Sequence, residues 1–121
     1  MRRLMFTLAL LLVASCASAQ TVNNPTKVEF TPSIDHSVIT SYEIGWFLTG
    51  ATSPVSTTDL GKPAPDGATG VCTANINVQP LAFESYTAQM RGKAGTIVGE
   101  WSLPSNQFQR VPGKPGKPVP K

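Results

Sequence analysis

Catalytic and metal-binding sites draw on a small set of side chains, and this chain has few of them. Its 121 residues include two cysteines and a single histidine, and only 14% are Asp, Glu, Lys or Arg. Zinc wants Cys and His ligands in paired spacing, so one histidine and an isolated thiol do not make a site. Calcium wants several oxygen ligands close together. Asp59 and Asp66 flank a loop without companions and read as solvated carboxylates. Asp35-His36-Ser37 carries the three letters of a hydrolytic triad. Consecutive residues on one turn cannot converge as a nucleophile, its base and an orienting acid must. With no cofactor loop either, no catalytic residue, cofactor or metal is expected, and the chain reads as non-enzymatic.

Long apolar runs are also scarce. Leu4 to Ala14 follows the positive start Met1-Arg2-Arg3, and it is too short to span a bilayer permanently. Small residues come next, so residues 1–19 read as a secretory signal. Two cleavage readings compete. Ala17-Ser18-Ala19 before Gln20 suits an ordinary signal peptidase and is the closer match, while Val13-Ala14-Ser15-Cys16 resembles a bacterial lipobox with Cys16 as the lipidated residue. Cys16 is removed in one and acylated in the other, which leaves Cys72 as the only free thiol and excludes an internal disulfide.

The net charge of +3 conceals a split. Between Gln20 and Gln109, Lys27, Lys62, Arg91 and Lys93 face seven carboxylates, so the body is mildly acidic. Arg110, Lys114, Lys117 and Lys121 then make a wholly basic end.

What is present is turn chemistry between short alternating runs. Residues 20–26 read as a leader. Lys27 to Thr31 alternates with Val28 and Phe30 on one face, and Pro32 to Ser37 is a turn. From Ile39 or Thr40 to Thr49, Tyr42, Ile44, Trp46 and Leu48 share the core face, which points Phe47 outward. Val55 to Leu60 fits a short edge strand, and Gly61 to Gly67 a loop. Val71 to Val78 places Cys72, Ala74, Ile76 and Val78 together. In Leu81 to Gly92, Tyr86, Ala88, Met90 and Gly92 share a face. Leu81 precedes them as an apolar plug, and the Tyr86 hydroxyl is free to bond back to backbone at Val78 to Phe83. Gly92 to Gly99 reads as a mobile loop, and a last strand runs through Phe108 no further than Val111. Residues 112–121 nearly repeat Pro-Gly-Lys and can form no core.

Three of these stretches, in order, resemble a fibronectin type III domain; the resemblance covers about Pro25 to Val111 and implies a domain over residues 27–111. Phe30-Thr31-Pro32-Ser33 through Ile39-Thr40-Ser41-Tyr42-Glu43-Ile44 is similar to the family's second and third strands, Leu81 to Arg91 to its tyrosine-corner strand, and Trp101-Ser102-Leu103-Pro104-Ser105-Asn106 to the approach to its last strand. The resemblance implies an all-β antiparallel sandwich of about seven strands in two sheets, A-B-E and C-C′-F-G. Phe30 stands where the family carries a core tryptophan, so Trp46 is expected to fill the neighbouring core.

Such a fold does not fix a function. The expected role is an exported, secreted or periplasmic binding or spacer module that presents its loops to a protein or glycan partner. Candidate contacts are Phe47, Lys93, Ile97 and Trp101; nucleic acid is not an expected partner. A glycan site would need Trp46, Phe47 and Trp101 exposed together. The alternative is a surface-anchored lipoprotein acylated at Cys16, its basic tail weakly touching anionic surfaces.

Overall fold

Turn residues break this chain into short runs, and most of these pair with runs distant in sequence, β2 with β5 and β3 with β6 among them. The computed structural model describes residues 22–121. Residues 1–19, expected from the sequence to be a secretory signal, lie outside the described residues, Cys16 among them. Eight strands are present among them: β1 (Val22–Asn23), β2 (Lys27–Phe30), β3 (Ser41–Leu48), β4 (Ser56–Gly61), β5 (Cys72–Asn75), β6 (Ser85–Ala94), β7 (Ile97–Val98) and β8 (Phe108–Gln109). A single 3-10 turn, His36–Val38, interrupts the β2–β3 connection.

The larger sheet has the order β1-β8-β6-β3-β4, with β7 hydrogen-bonded to the end of β6. The smaller sheet is β2-β5. Alternation sets the packing between them. Ile44 and Trp46 from β3, Tyr86 and Ala88 from β6, Phe108 from β8 and Val78 after β5 form one buried cluster. Val28 of β2 and Ile76 close it from the smaller sheet, and Leu60, Leu81 and Met90 fill its margins. The Tyr86 ring stacks on Phe108 and is 2% exposed. Its hydroxyl donates to the Ala82 carbonyl at 2.8 Å. Cys72 is fully buried, its thiol directed at the Pro63 carbonyl 3.5 Å away.

The structure departs from the sequence-based expectations in several places, and Leu48, expected on the core face of β3, is 37% exposed at the strand's end. The stretch taken as a leader enters the sheet: β1 lies parallel to β8, and the first strand therefore joins the larger sheet instead of pairing with β2. Asn24, in a left-handed conformation at φ 44°, secures it. Its side-chain amide donates to the Val111 carbonyl (3.0 Å) and accepts from the Val111 N–H (2.9 Å), imitating a further pair of ladder bonds. Gly92 to Gly99 is no mobile loop either. β6 continues to Ala94 and turns back at Gly95 into β7, because Gly95 supplies the positive φ of a two-residue turn.

Trp46 does not fill the space beside Phe30. It packs edge-on against Phe108, while Phe30 is half-buried and meets Tyr42 at a ring separation of 4.9 Å. Arg110 belongs to the body and not to the tail. Its guanidinium lies over Phe83 and donates to Asn24 Oδ1 and to the Val111 and Gln79 carbonyls.

Candidate functional site

Phe47 is the first correction at the site. It is 1% exposed, because both faces of β3 are covered. One face meets the smaller sheet, and the other lies under Trp101, whose ring stands edge-on to Phe47 at 5.3 Å. Gly45 makes this possible. A Cβ there would sit 2.7 Å from Trp101 Cη2 and 2.9 Å from Phe47 Cε1. The other side of the half-buried Trp101 is taken by Arg91, whose guanidinium carbon lies 4.2 Å from the ring centroid. Trp46 points into the core from the opposite face of the sheet, so Trp46, Phe47 and Trp101 form no common platform.

Arg91 is further held by Glu43, Nη2 to Oε1 at 2.6 Å and Nε to the same oxygen at 2.7 Å. The register dictates this, since Glu43 and Arg91 are directly opposite across β3 and β6. Lys93, two residues on, reaches Asp59 on β4 at 3.1 Å. Asp59 also accepts the Gly61 N–H at 2.7 Å, and these two bonds hold its carboxyl below the usual carboxylate range. The Ala68 and Thr69 N–H groups do the same for Asp66. Both carboxylates are thus committed to local partners. His36 is likewise committed: its Nδ1 shares a 2.7 Å hydrogen bond with the Tyr42 hydroxyl, which also accepts the Ser33 N–H. Burial pushes the Cys72 thiol pKa up.

Of two concave features among the described residues, a shallow one of about 640 Å³ lies between β4 and β5, lined by Asp59, Lys62, Thr73 and Asn75, and the more enclosed one lies at the end of the molecule where the β2–β3 connection meets the β6–β7 hairpin. Phe30, Tyr42, Ile39 and Met90 line a cavity of about 450 Å³ with mostly apolar walls. The cavity borders Phe30, where Trp46 was expected to pack. Ile39 lies directly on Gly92, the close approach that lets the connection fold down at this end. At the lips, Val38 and Ile97 are 67% and 74% exposed. Asp35 and Glu100 also line the cavity. Neither carboxylate has an ion-pair partner among the described residues, whereas both nearby cations, Arg91 and Lys93, are already paired.

Of the expected contacts, the structure brings Lys93 and Ile97 to this groove and leaves Phe47 buried and Trp101 half-buried elsewhere. Sequence reasoning missed Asp35, Val38 and Glu100. The available signal was the branched aliphatic Val38 close behind a segment composed largely of turn residues. Lys114, Lys117 and Lys121 are exposed, as is every residue of 112–121. Comparison of the chain with protein-family models, with curated proteins and with solved structures finds no match.

Proposed function

We propose that this chain is a non-enzymatic binding module of an exported protein, built on a fibronectin type III-like sandwich, whose end groove holds an extended segment of a protein partner. The observation that carries the reading is the groove itself. It combines a mostly apolar cavity of about 450 Å³ with exposed aliphatic lips and two unpaired carboxylates. Concave apolar sites with a few polar groups at the rim are the ordinary form of a ligand site. The sandwich reading draws support from the β2-β5 and β8-β6-β3-β4 neighbourhoods, which correspond to B-E and G-F-C-C′, and from the Tyr86 hydroxyl bond back to Ala82. A protein is favoured over a glycan because the aromatic rings share no exposed face.

Selection of displayed peptides against the chain tests the reading. Peptides that bind should be extended, aliphatic or proline-rich, and basic, and Val38→Asp with Ile97→Asp should abolish their binding without moving the thermal midpoint, since both side chains are exposed. Equal binding to the double variant would overturn it.

A second reading, a lipoprotein acylated at Cys16, has one observation in its favour. β1 runs parallel to β8, so the chain enters the sheet travelling towards the end from which the basic tail leaves, an arrangement suited to a spacer. Mass spectrometry of the mature protein separates the two: an acylated Cys16 supports anchoring, and a chain starting at Gln20 supports release.

A further inference from the structure

The groove and the tail of this molecule are chemically complementary. With Arg91 and Lys93 neutralised by Glu43 and Asp59, the charges left free around the groove are those of Asp35 and Glu100. A ligand for it carries positive charge on an extended, apolar frame. Residues 112–121 have that composition: Pro112, Pro115 and Pro118 recur every third residue, and Lys114 and Lys117 recur with the same period. A polyproline II helix has three residues per turn, so this spacing puts the prolines along one edge and the two lysines along another. One edge suits apolar walls with Phe30 and Tyr42 among them, and the other suits the carboxylates at the rim. Aromatic-lined grooves hold proline-rich segments in this way because such segments lose little conformational entropy on binding.

The Pro-Gly-Lys repeat through Lys117 falls short of the groove of its own molecule. The tail leaves at Val111, which is tied to Asn24, and its neighbour Arg110 donates its N–H to Glu84, at the start of β6. The groove lies at the other end of β6, around Gly92 to Ala94. Eight residues separate Ser85 from Lys93, about 26 Å of strand. At about 3.1 Å per residue, Lys114 and Lys117 reach roughly 9 and 19 Å beyond Val111 even if the segment doubles straight back, and only the last two residues, Pro120 and Lys121, extend to about 28 to 31 Å, too few to lay both edges of the repeat in the groove.

Resting on the groove as a peptide site, we propose that its occupant is the Pro-Gly-Lys tail of a second copy of this chain, so that molecules associate head to tail. The two surfaces in such a contact differ, and it is therefore heterologous. Each molecule keeps one free groove and one free tail, and assembly proceeds to short open chains or a ring instead of stopping at a two-fold dimer.

Sedimentation velocity of the chain from Gln20 onward tests this over about 10 µM to 1 mM, the range in which a short peptide contact becomes populated. The weight-average sedimentation coefficient should rise with concentration, and the rise should vanish at about 0.5 M salt, where the screening length falls below 5 Å. One variant, Lys114→Gln with Lys117→Gln and Lys121→Gln, loses the tail charge. A second, Asp35→Asn with Glu100→Gln, loses the groove charge; all five side chains lack hydrogen bonds to the body, so folding is spared. Each variant alone should stay monomeric. Mixed, they should form one-to-one dimers and nothing larger, because only one intact tail and one intact groove face each other. Association that persists in either variant, or a mixture that stays monomeric, would overturn the proposal. A wild-type chain that stays monomeric while selected peptides still need Val38 and Ile97 would sink self-association alone. Loss of both would remove the groove as a site.

Discussion

Tyr86 and Cys72 show how much a single buried polar atom can report. The Tyr86 hydroxyl makes one bond, to Ala82, from a ring that is otherwise enclosed. Removing the oxygen alone, in Tyr86→Phe, should cost about 1 kcal/mol in urea unfolding. Tyr86→Ala should cost about 3 to 5 kcal/mol, because a large ring is cut out of the core. Both groups are acids whose charged form is disfavoured by burial, Tyr86 also by the neighbouring charge of Glu84. Their folded pKa values lie above the unfolded ones, so the native state keeps its protons longer. Stability is then fully present below the unfolded pKa and declines as pH rises, from about 8.5 for the thiol and about 10 for the phenol. Cys72→Ala should flatten the first part of that alkaline decline and Tyr86→Phe the second, as read from urea midpoints between pH 7 and 11. Native Cys72 should also resist thiol reagents until the protein unfolds. The inward positions of Cys72 and Tyr86 were legible in the sequence because both sit in clean period-two runs. Phe47 was misplaced by the same rule, since alternation says which side a residue is on but not whether another segment covers that side.

Glycines mark the places where elements approach each other, and two of them differ instructively. At Gly45 a methyl group would meet the rings of Trp101 and Phe47, which are fixed by each other and by Arg91. At Gly92 it would meet Ile39 Cδ1 at 2.6 Å, the far end of a flexible side chain. Gly45→Ala should therefore cost about 1 to 3 kcal/mol, as overpacking does, and Gly92→Ala distinctly less. A larger penalty at Gly92 would show that the β2–β3 connection cannot shift. The segment before β8 is a second case in which side chains replace regular pairing. Ser102 and Ser105 donate their N–H groups to the Met90 and Ala88 carbonyls and accept the Met90 and Ala88 N–H groups through their hydroxyls. Serine and proline made this stretch look like a lead-in to a strand, and the hydroxyls carry out part of the strand's bonding. The β1 contact was not legible because Val22 and Asn23 make too short a run for any periodicity, and its fixing bonds come from one amide, on Asn24. Asn24→Ala should cost about 1 to 3 kcal/mol by stranding partners at Val111. Asn24→Gly should cost a similar amount despite suiting the positive φ, which identifies the side chain and not the backbone as the cause.

On the scale of the whole molecule, charge and apolar surface are distributed unevenly along one axis. With Arg110 absorbed into the body, the tail's charge rests on Lys114, Lys117 and Lys121, all three exposed. Replacing them with glutamine should leave the thermal midpoint within about 0.5 kcal/mol equivalent of wild type, because exposed side chains without buried partners contribute little to folding. The groove end was hard to foresee because it is assembled from a turn, a hairpin and the ends of two strands. No local pattern brings Val38 near Ile97. Only the pairing of β3 with β6 does so, and pairing partners are a property of the folded chain.

The parallel placement of β1 beside β8 has a mechanical consequence. Tension applied through the chain upstream of Val22 and through the tail beyond Val111 pulls the two strands along their own length in opposite directions. The Asn24 clasp and the adjoining ladder bonds are then loaded together in shear, and they do not open one at a time. A molecule connected at both ends would hold its length under such a load until the Asn24 bonds fail in one step, at a rate governed by that barrier and not by equilibrium stability.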